Sequence, residues 1–151
     1  MPSSTWVIQG AVRAAGQGDS EVLAMNATTP ARPHLLLLED DRATYTALRG
    51  ILMLRGWDVI LATTVAEARR ALDDEPLDAA VFDLMLPDGA ADELVEVLRM
   101  RAPDLPIAIT TGVCDADRLA SLHLAGPTVL LRKPIVLPDL LRAIALPVRS
   151  A

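Results

Sequence analysis

From His34 to Leu146, hydrophobic and polar positions repeat in one arrangement: a short apolar run, a polar break, then a longer stretch with helical spacing. Leu35 to Leu38 is a run of four leucines, apolar on both faces, as a strand in the middle of a parallel sheet must be. Arg42 to Arg55 puts Tyr45, Leu48 and Leu52 on one helical face, with Gly56 as its stop. Asp58 to Leu61 predicts a second strand. Thr64-Val65-Ala66-Glu67 has capping-box spacing and opens a helix through Leu72, with Val65, Ala68 and Leu72 on one face. Ala79 to Asp83 predicts a third strand, Ala90 to Arg101 a third helix stopped by Pro103, and Leu105 to Thr110 a fourth strand. Asp115 to Leu124, closed by Gly126, predicts a fourth helix, and Thr128 to Leu131 a fifth strand. Pro138 stands in the first turn of a last helix, Asp139 to Leu146, and Pro147 ends the pattern.

Strands that alternate with helices demand parallel pairing, with helices on both faces of the sheet. Five such units are too few for an eightfold barrel. The economical solution is an α/β fold, a (βα)5 flavodoxin-like doubly wound parallel sheet with strand order 2-1-3-4-5 and its switch point between the first and third strands. Residues 1–33 differ from the rest: they are rich in Ser, Thr, Gly, Ala and Pro, with scattered apolar residues, and predict a flexible N-terminal extension. Met25 offers an alternative start within it. Residues 34–146 form the predicted domain and 147–151 a short tail.

Composition narrows the function. Of the 151 residues, 52% are hydrophobic but only 3% aromatic, so Leu, Ala, Val and Ile must build the core. A net charge of −6 and a pI near 4.8 argue against a nucleic-acid groove and against an anionic membrane surface. One cysteine, Cys114, makes neither an internal disulfide nor a cysteine zinc cage. There is no apolar run of about 18 residues and no charged-then-apolar leader, so the expectation is a cytoplasmic protein without a membrane segment.

The chemistry lies at the strand tips. The first strand ends in Glu39-Asp40-Asp41, the second in Ala62-Thr63, the third in Asp83, the fourth in Thr110-Thr111-Gly112 and the fifth in Arg132-Lys133-Pro134. In the order 2-1-3-4-5, the strand with nothing reactive at its tip is an edge strand. Carboxylates of Glu39, Asp40 and Asp83 would crowd together and repel by roughly 1 kcal/mol per pair in water, more where desolvated. A hard divalent cation such as Mg2+ relieves that crowding, and Lys133 adds a fixed positive charge. A carboxylate between a cation and an ammonium, with a hydroxyl nearby, is arranged to receive a phosphoryl group, with Asp83 as nucleophile. Thr110 and Thr111 compete for the hydroxyl role, since successive strand residues face opposite sides. Asp41 reads as a helix-start acid, Arg132 as surface, and His34, His123 and Cys114 as bystanders.

These motifs resemble the receiver domain of two-component response regulators. Leu-Leu-Leu-Leu-Glu39-Asp40-Asp41, Phe82-Asp83-Leu84-Met85-Leu86-Pro87-Asp88-Gly89, Pro106-Ile107-Ala108-Ile109-Thr110-Thr111-Gly112 and Arg132-Lys133-Pro134 come in order. They are separated by 43 residues from Asp40 to Asp83, 28 on to Thr111 and 22 on to Lys133. The resemblance runs from His34 to Leu146. It implies a phospho-accepting Asp83, with Mg2+ held by Asp40, Asp83 and the Met85 carbonyl and reached by Glu39 through water. It further implies phosphoryl contacts from Thr111, which the spacing favours over Thr110, and from Lys133, and a cis Lys133-Pro134 bond. The donor implied is a phosphohistidine on a sensor histidine kinase or phosphotransfer protein. The output of such a stand-alone receiver, a monomer or weak dimer, goes to a downstream protein by contact rather than to DNA. Such a protein is no enzyme beyond its own phosphorylation and dephosphorylation.

Departures from the family's pattern shape that expectation. Where many receivers carry Tyr or Phe, three residues before the lysine, this chain has Leu130, so an aromatic read-out is not available there. A haloacid-dehalogenase-like phosphatase shares Asp, Thr, Lys and Mg2+ but needs a second Asp two residues after the nucleophile, where Met85 stands. A flavin or nucleotide module would need a glycine-rich loop after the first strand, where acids stand instead. A scaffold receiver that is never phosphorylated is the remaining alternative, and the retained Asp83, Thr111 and Lys133 argue against it. The resemblance implies that the positions two residues beyond the aspartate and the threonine tune phosphoryl lifetime; here they are Met85 and Val113, both apolar and unable to orient an attacking water. Self-dephosphorylation is therefore expected to be slow; following the decay of phosphorylated protein in Mg2+ buffer checks this, and a half-life of seconds would contradict it.

Overall fold

The computed structural model describes residues 31–112 and 127–145. The chain divides at Ala31/Arg32, and every described element belongs to the second unit. These elements are β1 (His34–Leu38), α1 (Arg42–Leu54), β2 (Asp58–Ala62), α2 (Val65–Asp74), β3 (Ala79–Asp83), β4 (Met85–Leu86), β5 (Gly89–Ala90), α3 (Asp92–Arg101), β6 (Ile107–Thr111), β7 (Thr128–Arg132) and α4 (Leu137–Ala143). Five strands form one parallel sheet in the order β2-β1-β3-β6-β7, the doubly wound order expected from the alternation. The helix expected over 115–124, together with Val113, Cys114 and His123, lies outside the described residues, as do the expected extension up to residue 30 and the tail from 147.

Strand alternation sorts the core into two layers. Leu36, Leu38, Ala80, Phe82, Ile107 and Ile109 face α2 and α3, where Leu72, Leu94 and Leu98 close over them. Leu35, Leu37, Ala79, Val81 and Ala108 face α1 and α4, against Leu48, Leu52, Leu140 and Ile144. The four leucines of β1 and all of β3 are buried on both faces, which is why neither strand shows a polar alternation. Phe82, the chain's one phenylalanine, is among the largest fully buried side chains and lies directly before Asp83.

Helix ends are closed by nearby side chains. The Asp41 carboxylate accepts from the Thr44 amide at 2.8 Å and caps α1, the helix-start role expected of it. Gly56, with φ of +99°, turns the chain out of α1 in a region that side-chain-bearing residues avoid. Thr64 caps α2 through the Glu67 amide, and Glu67 reaches back to the Thr63 amide at 2.8 Å. In α3, Asp92 and Glu93 stand in the first turn and Arg99 and Arg101 in the last, complementing the helix dipole.

Several boundaries differ from expectation. The segment after β3 is a tight antiparallel hairpin rather than an open loop, pairing Met85 with Ala90 and Leu86 with Gly89. That hairpin takes Gly89 and Ala90, so α3 starts at Asp92 instead of Ala90. The fourth main strand is Ile107–Thr111 rather than Leu105 to Thr110, and the last helix is Leu137–Ala143 rather than Asp139 to Leu146. Pro138 fits the first turn of α4, where no amide is needed, so the helix extends back past it.

Candidate functional site

The alternation that builds the α1/α4 face of the core also builds the site. Leu35 and Leu37 are followed in phase by Glu39, and Ala79 and Val81 by Asp83. Leu131 is followed in phase by Lys133. Leu37 pairs with Val81 across β1 and β3, so one step further along each strand sets Glu39 beside Asp83. Each row changes from apolar to charged at the carboxyl ends of its strand, the end where α/β sheets expose their ligand sites.

The side chains meet there. The Lys133 Nζ donates to Glu39 Oε1 at 3.0 Å and to Asp83 Oδ2 at 3.1 Å. Glu39 and Asp83 are buried, while Asp40 is exposed. One oxygen from each of Glu39, Asp40 and Asp83 lies within 4.8 Å of the others. The Met85 amide donates to Asp83 Oδ1 at 3.3 Å, and the Met85 side chain is half exposed beside the site. The Asp41 amide donates to Glu39 Oε2 at 3.2 Å, tying the acidic pair to the start of α1.

Charge explains the ionisation of the group. Burial pushes the Glu39 carboxyl above the usual glutamate range, and the Asp83 charge adds to this, while Lys133 and the Asp41 amide pull it back without cancelling it. Burial acts to lower the Lys133 ammonium, but its bonds to Glu39 and Asp83 outweigh that and hold it above the usual lysine value. Three carboxylates against one ammonium leave a formal charge of −2. All the donors are hard oxygens and Asp40 opens to solvent, a set that suits a divalent cation such as Mg2+.

The two threonines take different places. Thr110 pairs directly with Asp83 across β3 and β6, and its hydroxyl turns to the Phe82 carbonyl at 3.5 Å. Thr111 is one residue nearer the open end of the sheet, and its carbonyl accepts from the Lys133 amide at 2.8 Å. The Lys133-Pro134 bond is cis. Leu130 is half-buried against the α2/α3 layer of the core. His34 sits at the opposite, amino-terminal end of the sheet, 3.6 Å from Asp58. Arg132 is exposed.

Two features were not read from the sequence. One is the direct pairing of Lys133 with Glu39; the in-phase position of both residues on the α1/α4 face was the available signal. The other is Asp88, which reads as a turn former but whose carboxylate bonds the Val65 and Ala66 amides at 2.9 and 3.2 Å. No local pattern points from residue 88 to a helix more than twenty residues earlier. An apolar cleft of about 360 Å³ adjoins the site, lined by Thr44, Ala47, Leu48 and Ile51 of α1 and by Lys133, Pro134, Ile135 and Leu137.

Known proteins resemble this chain in sequence and fold. The sequence profile of the response regulator receiver domain matches residues 35–145. The photosynthetic apparatus regulatory protein RegA of Rhodobacter capsulatus is 34% identical over 110 residues, covering 73% of this chain and 60% of RegA. Response regulator MprA of Mycobacterium sp. (strain KMS) is 36% identical over 108 residues, 71% of this chain and 46% of MprA. The chain thus spans about half the length of these relatives. The non-phosphorylated HemR receiver domain from Leptospira biflexa superposes with a TM-score of 0.66 at 30% identity, covering 80% of this chain and all of that domain.

The raised Glu39 sets a pH dependence. A carboxyl with a folded pKa above its unfolded value adds stability below the unfolded pKa and loses it as pH rises through the folded value. At neutral pH the ionised Glu39 therefore costs the metal-free protein stability. Glu39→Gln is expected to melt at a higher temperature than wild type at pH 7 without Mg2+, with the gap closing as pH falls. Thermal melts across that range check it.

Proposed function

Since this chain belongs to the response regulator receiver domain family, the phospho-accepting domain of two-component systems, we propose that Asp83 is the acceptor and that a histidine-bound phosphoryl group is its source. The observation that carries this is the Lys133 ammonium bonded to both Glu39 and Asp83 at the edge of a three-carboxylate cluster. An Asp83 oxygen attacks phosphorus as the phosphorus–nitrogen bond of the donor breaks, and the imidazole leaves with the electron pair of that bond. Asp40, Asp83 and the Met85 carbonyl would hold Mg2+, with Glu39 reaching it through water. The bound cation supplies positive charge against the phosphoryl oxygens. Lys133 then shifts from balancing two carboxylates to balancing the phosphoryl group as well. Thr111, one residue nearer the open end than the Asp83–Thr110 pair, meets the phosphoryl group with its hydroxyl. The phosphorylated state acts on a downstream protein by contact.

The donor protein docks over α1. The apolar cleft between α1 and the segment after Lys133 opens beside the acceptor, and a helix bearing the phosphohistidine lays an apolar face into it. Small donors need no such surface, because they reach Asp83 directly.

Incubation with acetyl phosphate and Mg2+ followed by intact-mass analysis is expected to show one phosphoryl adduct on wild type and none on Asp83→Asn or without Mg2+. Thr111→Ala is expected to alter the adduct's formation or lifetime more than Thr110→Ala does. No Mg2+-dependent adduct on wild type would overturn the reading. A separate expectation concerns docking. Ala47→Glu places a charge on the exposed rim of the cleft. It is expected to slow transfer from a phosphohistidine protein at least tenfold while leaving acetyl phosphate labelling unchanged, as paired time courses would show.

A further inference from the structure

The hairpin that follows Asp83 is held at two levels. At its base Leu84, Leu86 and Ala91 are buried, and the Ala91 amide donates to the Leu84 carbonyl at 3.2 Å. At its tip the turn Leu86-Pro87-Asp88-Gly89 closes with Gly89 at φ of +143°, a conformation side-chain-bearing residues avoid. From this tip Asp88 sends both carboxylate oxygens to another element, Oδ1 to the Val65 amide and Oδ2 to the Ala66 amide at the start of α2.

Helix α2 does not need Asp88 in order to begin. Thr64 already caps it through the Glu67 amide at 3.1 Å, and Glu67 closes back on Thr63. Asp88 takes up the two first-turn amides that this local cap leaves over, from 23 and 22 residues away. The hairpin that it tethers contains Met85, whose amide touches Asp83 and whose carbonyl is the expected third protein ligand of the cation. With base and tip both tied, the direction of that carbonyl is set between them.

We propose that Asp88 is a positioning residue of the phospho-acceptor site: by clamping the hairpin tip to α2 it orients the Met85 carbonyl towards the cation. This rests on the Mg2+-assisted acceptor reading above. Because coupling is reciprocal, a cation and phosphoryl group on Asp83 stiffen the hairpin and tighten the Asp88 clamp on α2. The start of α2 thereby senses the site without contacting it.

Two variants at one helix end separate this from simple capping. Asp88→Ala removes the clamp, whereas Thr64→Ala removes the local cap of the same helix and leaves the hairpin tied. Mg2+ affinity is measured by calorimetry, and amide hydrogen exchange is followed in metal-free protein and in protein with Mg2+ and beryllofluoride. Asp88→Ala is expected to weaken Mg2+ binding about tenfold, the lower end for residues that orient a metal ligand. It should also free the Val65 and Ala66 amides to exchange while the Glu67 amide stays protected. Thr64→Ala should show the reverse exchange pattern with Mg2+ affinity within twofold of wild type, and Asp88→Asn, which keeps one acceptor oxygen, should recover part of the affinity. In wild type, beryllofluoride should slow exchange at Val65 and Ala66. Unchanged Mg2+ affinity in Asp88→Ala, or an equal loss in both alanine variants, would overturn the proposal while the acceptor reading stands. A wild-type protein that neither binds Mg2+ nor forms the adduct would overturn both.

Discussion

The Lys133 ammonium, bonded at once to Glu39 and Asp83, is the constraint around which the site is built. Two carboxylates buried at the end of a hydrophobic layer would be untenable alone, since burial disfavours charge and like charges disfavour each other. One lysine makes the pair tolerable but cannot neutralise two carboxylates, and Asp40 adds a third. The remaining negative charge favours a divalent cation beside the ammonium. Natural sheets carry stability costs of this kind where function requires them.

The sheet order follows from the same requirement. Glu39, Asp83 and Lys133 come from β1, β3 and the residue after β7, which are separated by long stretches of chain. A parallel sheet brings three such carboxyl ends to one edge, and the order β2-β1-β3-β6-β7 sets the acidic strands side by side. Phe82 fills the α2/α3 layer immediately below the acceptor, while Val81 and Leu37 fill the opposite layer. Asp83 thus ends a strand packed on both faces, so its backbone rests on a close-packed support.

Much of this was legible in the chain because it is written in periodicity. Leu35 to Leu38 and Ala79 to Phe82 are short, apolar on both faces and followed by acids, and strands of that kind have few alternatives. The tips that carry Asp83, Glu39, Asp40 and Lys133 could be named from the order of the strands alone. What was not legible depended on single contacts between distant elements. The Met85–Ala90 hairpin rests on two residue pairs, too short to leave an alternation. The clamp of Asp88 on α2 leaves no trace in either local pattern. The ends of α4 depended on how far a helix runs back past Pro138, which spacing does not decide. Thr110 and Thr111 are neighbours of one kind; spacing favours Thr111 for the site, and the register of β6 against β3 shows where each of them stands.

That register bears on how a charge change at Asp83 leaves the site. Thr110 lies level with the acceptor and spends its hydroxyl on the Phe82 carbonyl, so it belongs to the support beneath Asp83. Thr111 lies one step beyond, and its carbonyl holds the Lys133 amide, so any shift of the β6 tip is felt in the backbone of the lysine. With Leu130 packed into the core, no aromatic ring at that position is available to turn over a moving threonine. An aliphatic side chain there can still change its packing, but it carries no polar tip whose exposure marks a state. The routes left by the described contacts are short: through Lys133 into the cleft beside α1, and through the hairpin and Asp88 into the start of α2. Both begin at groups that touch Asp83 directly, Lys133 by its ammonium and Met85 by its amide.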